Sequence, residues 1–182
     1  MQLKTAQTKA ELEQILQLQQ ANHYDNISSH TKDQEGFVTV LHDLELLMRM
    51  NEAAGQIIAI DEAKVVAYAL VMLNSFSQEI PVLEPMFEVF KTVDYRGKKL
   101  TDFTFYVMGQ ICIDKSYRGK GVFGQLYEKH KEIYSEQFQL CITEVSKNNV
   151  RSIRAHEKVG FKTIYTYRDQ TDHWLIMAWD WS

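Results

Sequence analysis

Residues 108–124 read MGQICIDKSYRGKGVFG, an apolar strand that runs into a basic turn with three glycines. A helix is predicted directly after the turn, because apolar and aromatic residues recur there on one helical face: Val122, Phe123, Leu126, Tyr127, His130, Ile133 and Tyr134. The turn is therefore a helix N-terminus, where backbone N–H groups and the positive end of the helix dipole favour an anion. Arg118 and Lys120 add full positive charge. We predict that the turn binds a phosphate or pyrophosphate.

One interpretation of the three glycines is a dinucleotide site. Gly119, Gly121 and Gly124 spell GxGxxG, and Glu144 follows about 20 residues later, where a ribose-binding acid is expected. However, residues 114–118 separate the strand from the first glycine, and too little chain follows the turn to complete a doubly wound sheet. A dinucleotide-binding oxidoreductase is therefore the less favoured alternative.

A second interpretation is carried by two separate motifs. Residues 118–123, RGKGVF, resemble the acetyl-CoA signature Q/R-x-x-G-x-G/A of the GNAT family of N-acetyltransferases, with Phe123 where the family usually has Gly or Ala. Residues 149–161, NVRSIRAHEKVGF, are similar to the family's N-x-R-A-I-x-x-Y-E-K-x-G-F segment. The motifs occur in the family's order. The resemblance covers residues 55–180 well and the first 50 residues in outline.

The resemblance implies acetyl-CoA as the co-substrate and no metal. It places the pantetheine arm against the strand backbone and Asn149, and the pyrophosphate on the turn. The cofactor-binding residues expected on this basis are Ile111, Cys112, Ile113, Arg118, Gly119, Lys120, Gly121, Val122, Phe123, Gly124 and Asn149. The implied reaction is direct attack by a neutral amine on the acetyl carbonyl in a ternary complex, with no covalent enzyme intermediate.

Two residues are candidates for catalysis. His156 stands where the family commonly has a Tyr that protonates the departing thiolate, and an imidazole titrates near neutrality. The alternative for His156 is a histidine packed inside its helix. Glu144, at the end of a predicted strand, could accept the proton of the amine through water, or it could be a solvated surface carboxylate.

The composition indicates one folded domain over residues 1–182. Hydrophobic residues make up 45% of the chain, yet no apolar run approaches the ~20 residues of a membrane span. A net charge of −4 argues against nucleic acid as a partner. Cys112 and Cys141 lie inside apolar runs, where reduced thiols act as small hydrophobes, and residues 1–10 are polar. We therefore expect a cytoplasmic protein with neither nucleic acid nor membrane as partner.

The order of the elements predicted along the chain resembles the acetyltransferase fold. The resemblance implies a mixed, mostly antiparallel sheet with helices on both faces, in the α/β (α+β) class. A capping box is expected at Thr8 and Glu11, and a helix cap at Ser146 or Asn148. The predicted elements are a strand near Leu3, a helix from Thr8, a helix over about 35–51, strands over 56–60 and 64–73, the strand and helix around the turn, a strand over 139–145, a helix over 148–159 ended by Gly160, and a hairpin of 161–167 and 173–180.

Residues 74–102 form an unusually long connection. Its length suggests a functional segment, and the family resemblance implies that this segment lines the acceptor site. The alternative is a short helix over 84–90 in a satellite core or a homodimer contact. Acidic residues in it make a cationic amine a plausible acceptor, on a small molecule or a peptide: Glu79, Glu84, Glu88 and Asp94. A regulatory protein that binds acetyl-CoA without transferring the acetyl group is a separate hypothesis, because no base carboxylate is obvious.

Overall fold

The computed structural model describes residues 1–26, 38 and 40–182. The α-helices are α1 (Lys9–Ala21), α2 (Leu44–Ala53), α3 (Glu84–Phe90), α4 (Val122–Tyr134) and α5 (Val150–Val159). The strands are β1 (Gln2–Thr5), β2 (Ile57–Asp61), β3 (Lys64–Met72), β4 (Asp94–Tyr95), β5 (Lys98–Lys99), β6 (Phe105–Ile113), β7 (Leu140–Ser146), β8 (Lys162–Arg168) and β9 (His173–Asp180).

Seven strands form one sheet in the order β1-β2-β3-β6-β7-β9-β8, and β4 pairs with β5. The ladder between β6 and β7 is parallel, whereas β1–β2, β2–β3, β7–β9 and β8–β9 are antiparallel. The predicted fold class is therefore confirmed. By internal contacts the chain divides into two compact units, Met1–Val71 with Gly109–Glu132 and Met72–Met108 with Ile133–Ser182.

Helix α1 of the first unit begins as its sequence predicts. The Thr8 side chain accepts from the backbone N–H of Glu11, and the Glu11 carboxylate accepts from the backbone N–H of Thr8. This capping box satisfies donors that a helix start leaves unpaired. Apolar side chains of α1, including Ile15, then pack into the core of this unit.

Helix α2 differs from its prediction. It begins at Leu44 instead of about residue 35, because the Asp43 carboxylate caps it by accepting from the backbone N–H of Leu46 at 2.8 Å. Residues 40–43 are not helical, and their backbone is hydrogen-bonded to side chains: Gln110 donates to the carbonyl of Val40, and the N–H of His42 donates to Gln19. Residues 35–37 and 39 of the predicted helix lie outside the described part of the chain.

The second unit confirms the short helix in the long connection. Helix α3 buries Phe87 and Phe90, whose rings meet edge to face, and Phe90 meets Phe105 of β6 in the same way. Its sheet ends at β8, an edge strand that pairs with β9. The β8–β9 register shifts by one residue between Thr163 and Tyr165.

No helix in the described parts of the chain is long and apolar enough to cross a membrane. The same residues also contain no group of three or more His, Cys, Asp or Glu side chains placed to hold a metal ion.

Candidate active site

The centre of β6 exposes its backbone at Gly109. The neighbouring residues Met108 and Gln110 are buried, whereas Gly109 is exposed. A glycine inside a strand often marks a place where a ligand approaches the backbone closely. Gly109 is not among the site residues predicted from the sequence, although an isolated glycine in an apolar strand is a signal for such a position.

Beyond Gly109, the strand residues expected to bind the cofactor alternate in burial. Cys112 packs into the core of the first unit, while Ile111 and Ile113 are half-buried. Burial raises the pKa of the Cys112 thiol to about 11, and it raises that of Cys141 to about 12. Both thiols are therefore protonated at neutral pH and poor nucleophiles.

The turn between β6 and α4 places two glycines in the left-handed region of backbone space. Gly119 has φ 73° and Gly121 has φ 79°, conformations that side chains rarely adopt. A Cβ at Gly119 or Gly124 would meet no protein atom within 4 Å. The positive φ angles thus explain why two of the three positions are glycine. The turn also keeps the start of α4 accessible to a ligand.

The two cations of this turn have different environments. Lys120 is exposed, with its ammonium 5.3 Å from the ring centre of Tyr117. The Arg118 guanidinium is half-buried and donates to the carbonyl of Ile113 at 2.9 Å and to the side-chain oxygen of Asn22 at 2.7 Å. Lys120 is thus the cation presented at the surface, whereas Arg118 joins the end of β6 to the end of α1.

The first helical residues of α4 complete the turn. Val122 is buried, and Phe123 is half-buried with its ring 5.1 Å from that of Tyr127. The carbonyl of Gly121 accepts from the N–H of Gln125 at 3.2 Å, so the helix is hydrogen-bonded from Gly121 onward. The backbone N–H groups that precede Gln125 lie at the helix start, where an anion is favoured.

In the second unit, Asn149 is the cap of α5. Its side-chain oxygen accepts from the N–H of Ser152 at 3.0 Å. The predicted cap at Ser146 or Asn148 is therefore wrong, because both of these side chains bond to Asp172 instead. Gly160 ends α5 as predicted, with φ 122° and its N–H bonded to the carbonyl of His156.

Glu144 has the most perturbed carboxylate of the second unit. It lies near the end of β7, half-buried, and accepts a hydrogen bond from the Tyr167 hydroxyl. Burial raises the pKa of Glu144 to about 7; the Tyr167 bond opposes this shift and the charge of Asp169 adds to it. Glu144 is therefore no ordinary solvated carboxylate, since it exchanges its proton near neutral pH.

His156 lies in the interior of the second unit. It is 2% exposed, its Nδ1 donates to the carbonyl of Ser152 at 2.8 Å, and its ring meets Phe161 edge to face. Burial lowers the pKa of His156 to about 4, so the ring is neutral at pH 7. This is the environment of a packed helix residue. The acid role predicted for His156 stays a prediction.

The comparisons with known proteins agree with this architecture. The sequence model of the Acetyltransferase (GNAT) family matches residues 12–161 of the 182. None of the curated proteins matches the sequence well enough to count as a relative.

Solved structures of acetyltransferases share the fold. The ribosomal-protein-S18-alanine N-acetyltransferase from Escherichia coli superposes with a TM-score of 0.65 at 15% identity, over 100% of this chain and 94% of its own. The yncA protein from Salmonella typhimurium, solved with its cofactor acetyl-CoA, gives 0.63 at 12% identity, with coverage of 100% and 94%. The ribosomal-protein-alanine N-acetyltransferase from Brucella melitensis gives 0.62 at 18%, with coverage of 98% of each chain.

These identities show the fold alone, whereas the family match covers most of the chain, including the glycine-rich turn and α5. It favours acetyl-CoA over a dinucleotide as the ligand of the turn. The chain belongs to the GNAT family of acetyltransferases, whose co-substrate is acetyl-CoA.

Proposed function

We propose that this protein transfers the acetyl group of acetyl-CoA to a primary amine of a peptide or small molecule, by direct attack in a ternary complex. The proposal is supported by the environment of Glu144, a half-buried carboxyl group whose pKa is raised to about 7. A transferase of this kind needs a base that can remove a proton from the attacking amine at neutral pH, and a protein that only binds acetyl-CoA does not.

The residues of the turn fit the cofactor. The exposed backbone at Gly119 and Gly121 and the start of α4 would take the pyrophosphate, with Lys120 adding charge. Backbone groups of residues 111–113 would hold the pantetheine arm, and the amide nitrogen of Asn149 would donate to it while the oxygen caps α5. When bound, acetyl-CoA supplies a thioester that an amine can attack without a covalent enzyme intermediate.

Glu144 acts as the general base in this proposal. A carboxyl group with a pKa of about 7 is roughly half ionised at neutral pH. An N-terminal α-amine has a pKa of about 7.7–8.0, close to that of Glu144, whereas a lysine side chain has about 10.4. The pKa of an α-ammonium therefore exceeds that of Glu144 by about one, and the pKa of a lysine exceeds it by more than three. Proton transfer to Glu144 is correspondingly less favourable from a lysine. We propose a peptide N-terminus as the preferred acceptor, and two proteins that share the fold are named ribosomal-protein-alanine N-acetyltransferases.

The remaining parts of the site have smaller roles. Cys112 and Cys141 are protonated and take no covalent part. His156 is the candidate proton donor to the departing thiolate, but its neutral ring and the use of its Nδ1–H by Ser152 weigh against that role. A thiolate leaves readily without an acid, so water can supply this proton. The predicted homodimer and cytoplasmic location stay predictions.

The test begins with ligand binding. Thermal-shift measurements with acetyl-CoA, NAD and NADP should show stabilisation by acetyl-CoA alone, of about 2.7 kcal/mol at 100 times its dissociation constant. Stabilisation by a nicotinamide dinucleotide and none by acetyl-CoA would contradict the proposal.

Release of free CoA then reports transfer. We would compare a peptide with a free N-terminal alanine, the same peptide acetylated at its N-terminus and carrying one lysine, and a polyamine. The free N-terminus should react fastest. Glu144→Gln should bind acetyl-CoA like the parent and lose about 10²–10⁴-fold in rate. Tight acetyl-CoA binding with no CoA release for any amine would support the regulatory hypothesis instead.

A further inference from the structure

Tyr167 reaches Glu144 from two strands away. Glu144 lies on β7 and Tyr167 on β8, and β9 pairs with both strands between them. The Tyr167 hydroxyl nevertheless donates a hydrogen bond to Oε2 of Glu144. A contact over this distance requires that both side chains point to the same face of the sheet.

The register of the three strands shows that they do. Ser146 and Tyr167 both pair with Trp174 of β9, so their side chains share its face. Glu144 lies two residues before Ser146, and residues two apart on a strand share a face. The phenol of Tyr167 therefore crosses β9 diagonally, on the face that carries Trp174 and Ile176.

A β-bulge in β8 produces this orientation. Thr163 pairs with Met177, but Tyr165 pairs with Ile176, so Ile164 is one extra residue in β8. If the register of the Thr163–Met177 pair continued unshifted along β8, Tyr167 would pair with His173 and its side chain would lie on the opposite face. Bulges near active sites often re-aim a side chain in this way.

We infer that Tyr167 is a positioning residue for acetyl transfer. The bulge formed by Ile164 directs the Tyr167 phenol toward Glu144, and the phenol fixes the Glu144 carboxylate so that Oε1 receives the proton of the amine. The inference rests on the proposed role of Glu144 as the base. Tyr167 does not itself exchange a proton in this role, because burial and the neighbouring Glu144 raise the pKa of its hydroxyl far above neutrality.

The groups around Glu144 have opposing effects. From β8, the Tyr167 hydroxyl stabilises the ionised form, whereas the charge of Asp169, in the loop after β8, and burial favour the protonated form. From β9, the residue opposite Glu144 is the apolar Ile176. Asp169 is held in its loop because its Oδ1 accepts from the N–H and hydroxyl of Thr171. Tyr167 is thus the group in the described residues that keeps a half-buried carboxyl group available as a base.

The test compares Tyr167→Phe with Tyr165→Phe. Tyr165 lies on the same strand and is 40% exposed. Tyr165→Phe removes one hydroxyl, as Tyr167→Phe does, but the Tyr167 hydroxyl is the one bonded to Glu144. kcat/KM would be measured from pH 5.5 to 9.5 with acetyl-CoA and the peptide that has a free N-terminal alanine. The Glu144 carboxyl would also be titrated by ¹³C NMR in glutamate-labelled protein and identified by its absence in Glu144→Gln.

Tyr167→Phe should raise the Glu144 pKa by about one unit, since a hydrogen bond to the ionised form is lost. The acidic limb of the pH profile should move upward by the same amount, which is about a fivefold loss near pH 7 that recovers above pH 9. Tyr165→Phe should match the parent in both measurements. Thermal unfolding of both variants separates this effect from a loss of structure.

The possible failures are distinguishable. If Tyr167→Phe leaves both the NMR titration and the pH limb unchanged, the inference is overturned, whatever the protein catalyses. If the parent transfers no acetyl group, the proposed function fails. If Glu144→Gln transfers the acetyl group as fast as the parent, acetyl transfer stands but Glu144 is not its base. In both cases the NMR titration still decides whether Tyr167 controls the Glu144 carboxyl.

Discussion

The guanidinium of Arg118 donates to the side-chain oxygen of Asn22 at 2.7 Å, which joins the glycine-rich turn to the last turn of α1. Asn22 is itself fixed, since its side-chain nitrogen donates to the carbonyl of Leu18 and its backbone N–H to that of Gln19. Arg118 also holds the carbonyl of Ile113. The first residue of the acetyl-CoA signature is therefore engaged with protein groups on two sides, and we expect it to shape the turn.

Arg118→Ala and Asn22→Ala should each weaken acetyl-CoA binding, because each removes the same connection. Arg118→Ala should also lower the free energy of unfolding by about 1.5–3 kcal/mol, as expected for a hydrogen bond to a charged group. Calorimetric titration of the single and double variants should show effects that are less than additive by at least about 0.5 kcal/mol. Tighter acetyl-CoA binding in Asn22→Ala would contradict this view, because it would mean that the released guanidinium binds the phosphate directly.

Gly121→Ala should reduce acetyl-CoA binding more than it reduces stability. The φ of 79° costs a non-glycine residue about 1–2 kcal/mol, and the new Cβ would stand where the pyrophosphate is proposed to lie. Gly97 is the matched control, since it has the same φ of 79° in the turn between β4 and β5 and its Cβ would also have space. Gly97→Ala should lose similar stability in urea unfolding and bind acetyl-CoA like the parent. Equal binding by both variants would remove the turn from the cofactor site.

Gly124→Ala should raise stability while it weakens acetyl-CoA binding, whereas Gly121→Ala should lower both. Gly124 lies inside the first turn of α4 with no protein atom within 4 Å of an added Cβ, so alanine should stabilise the helix by about 0.5–1 kcal/mol. If the pyrophosphate approaches this backbone, the same methyl group should weaken acetyl-CoA binding. Thermal shifts without and with acetyl-CoA measure the two effects. A variant that is more stable and binds normally would place Gly124 outside the contact.

Features that depend on neighbouring residues could be predicted from the sequence. The capping box of Thr8 and Glu11 and the glycine after α5 are local patterns, and both were confirmed. The start of α2 was missed because apolar spacing continues upstream of Asp43, whose capping carboxylate ends that pattern in the structure. Local patterns therefore predict which elements exist better than where they begin.

The decisive features of the candidate site depend on long-range contacts. Asn22 meets Arg118 from 96 positions away, and no spacing rule connects them. The pKa of Glu144 depends on burial by the folded chain and on Tyr167, which faces it because of a one-residue bulge. A buried carboxylate near a strand end therefore cannot be distinguished in the sequence from a solvated one, although the two differ in pKa.

Stability should fall on acidification below pH 6.5. Burial lowers the pKa of His42 and His156 to about 4 and that of His130 to about 3, so these rings take up protons when the chain unfolds. Their contribution to stability is present above pH 6.5 and is lost as the pH falls toward 4. Glu144, with its raised pKa, opposes this trend between pH 7 and 4.5, but one carboxyl group is outweighed by three histidines. Urea unfolding at four pH values from 7.5 to 4.5 measures the slope, and rising stability on acidification would contradict the buried neutral state.

His156→Phe should retain kcat within about threefold of the parent. The neutral ring donates its Nδ1–H to Ser152 and packs edge to face against Phe161, and a phenylalanine can keep that packing. General acids typically contribute about 10²–10⁴-fold, and a thiolate needs less help than an alkoxide. If His156 were the acid, His156→Phe would lose about 10- to 100-fold in kcat, and His156→Tyr would recover part of it because a phenol can donate the same proton. Steady-state kinetics with saturating acetyl-CoA and the alanine peptide distinguish these outcomes, with acetyl-CoA binding measured as the control for folding. A large loss that tyrosine restores would make His156 the proton donor in spite of its burial.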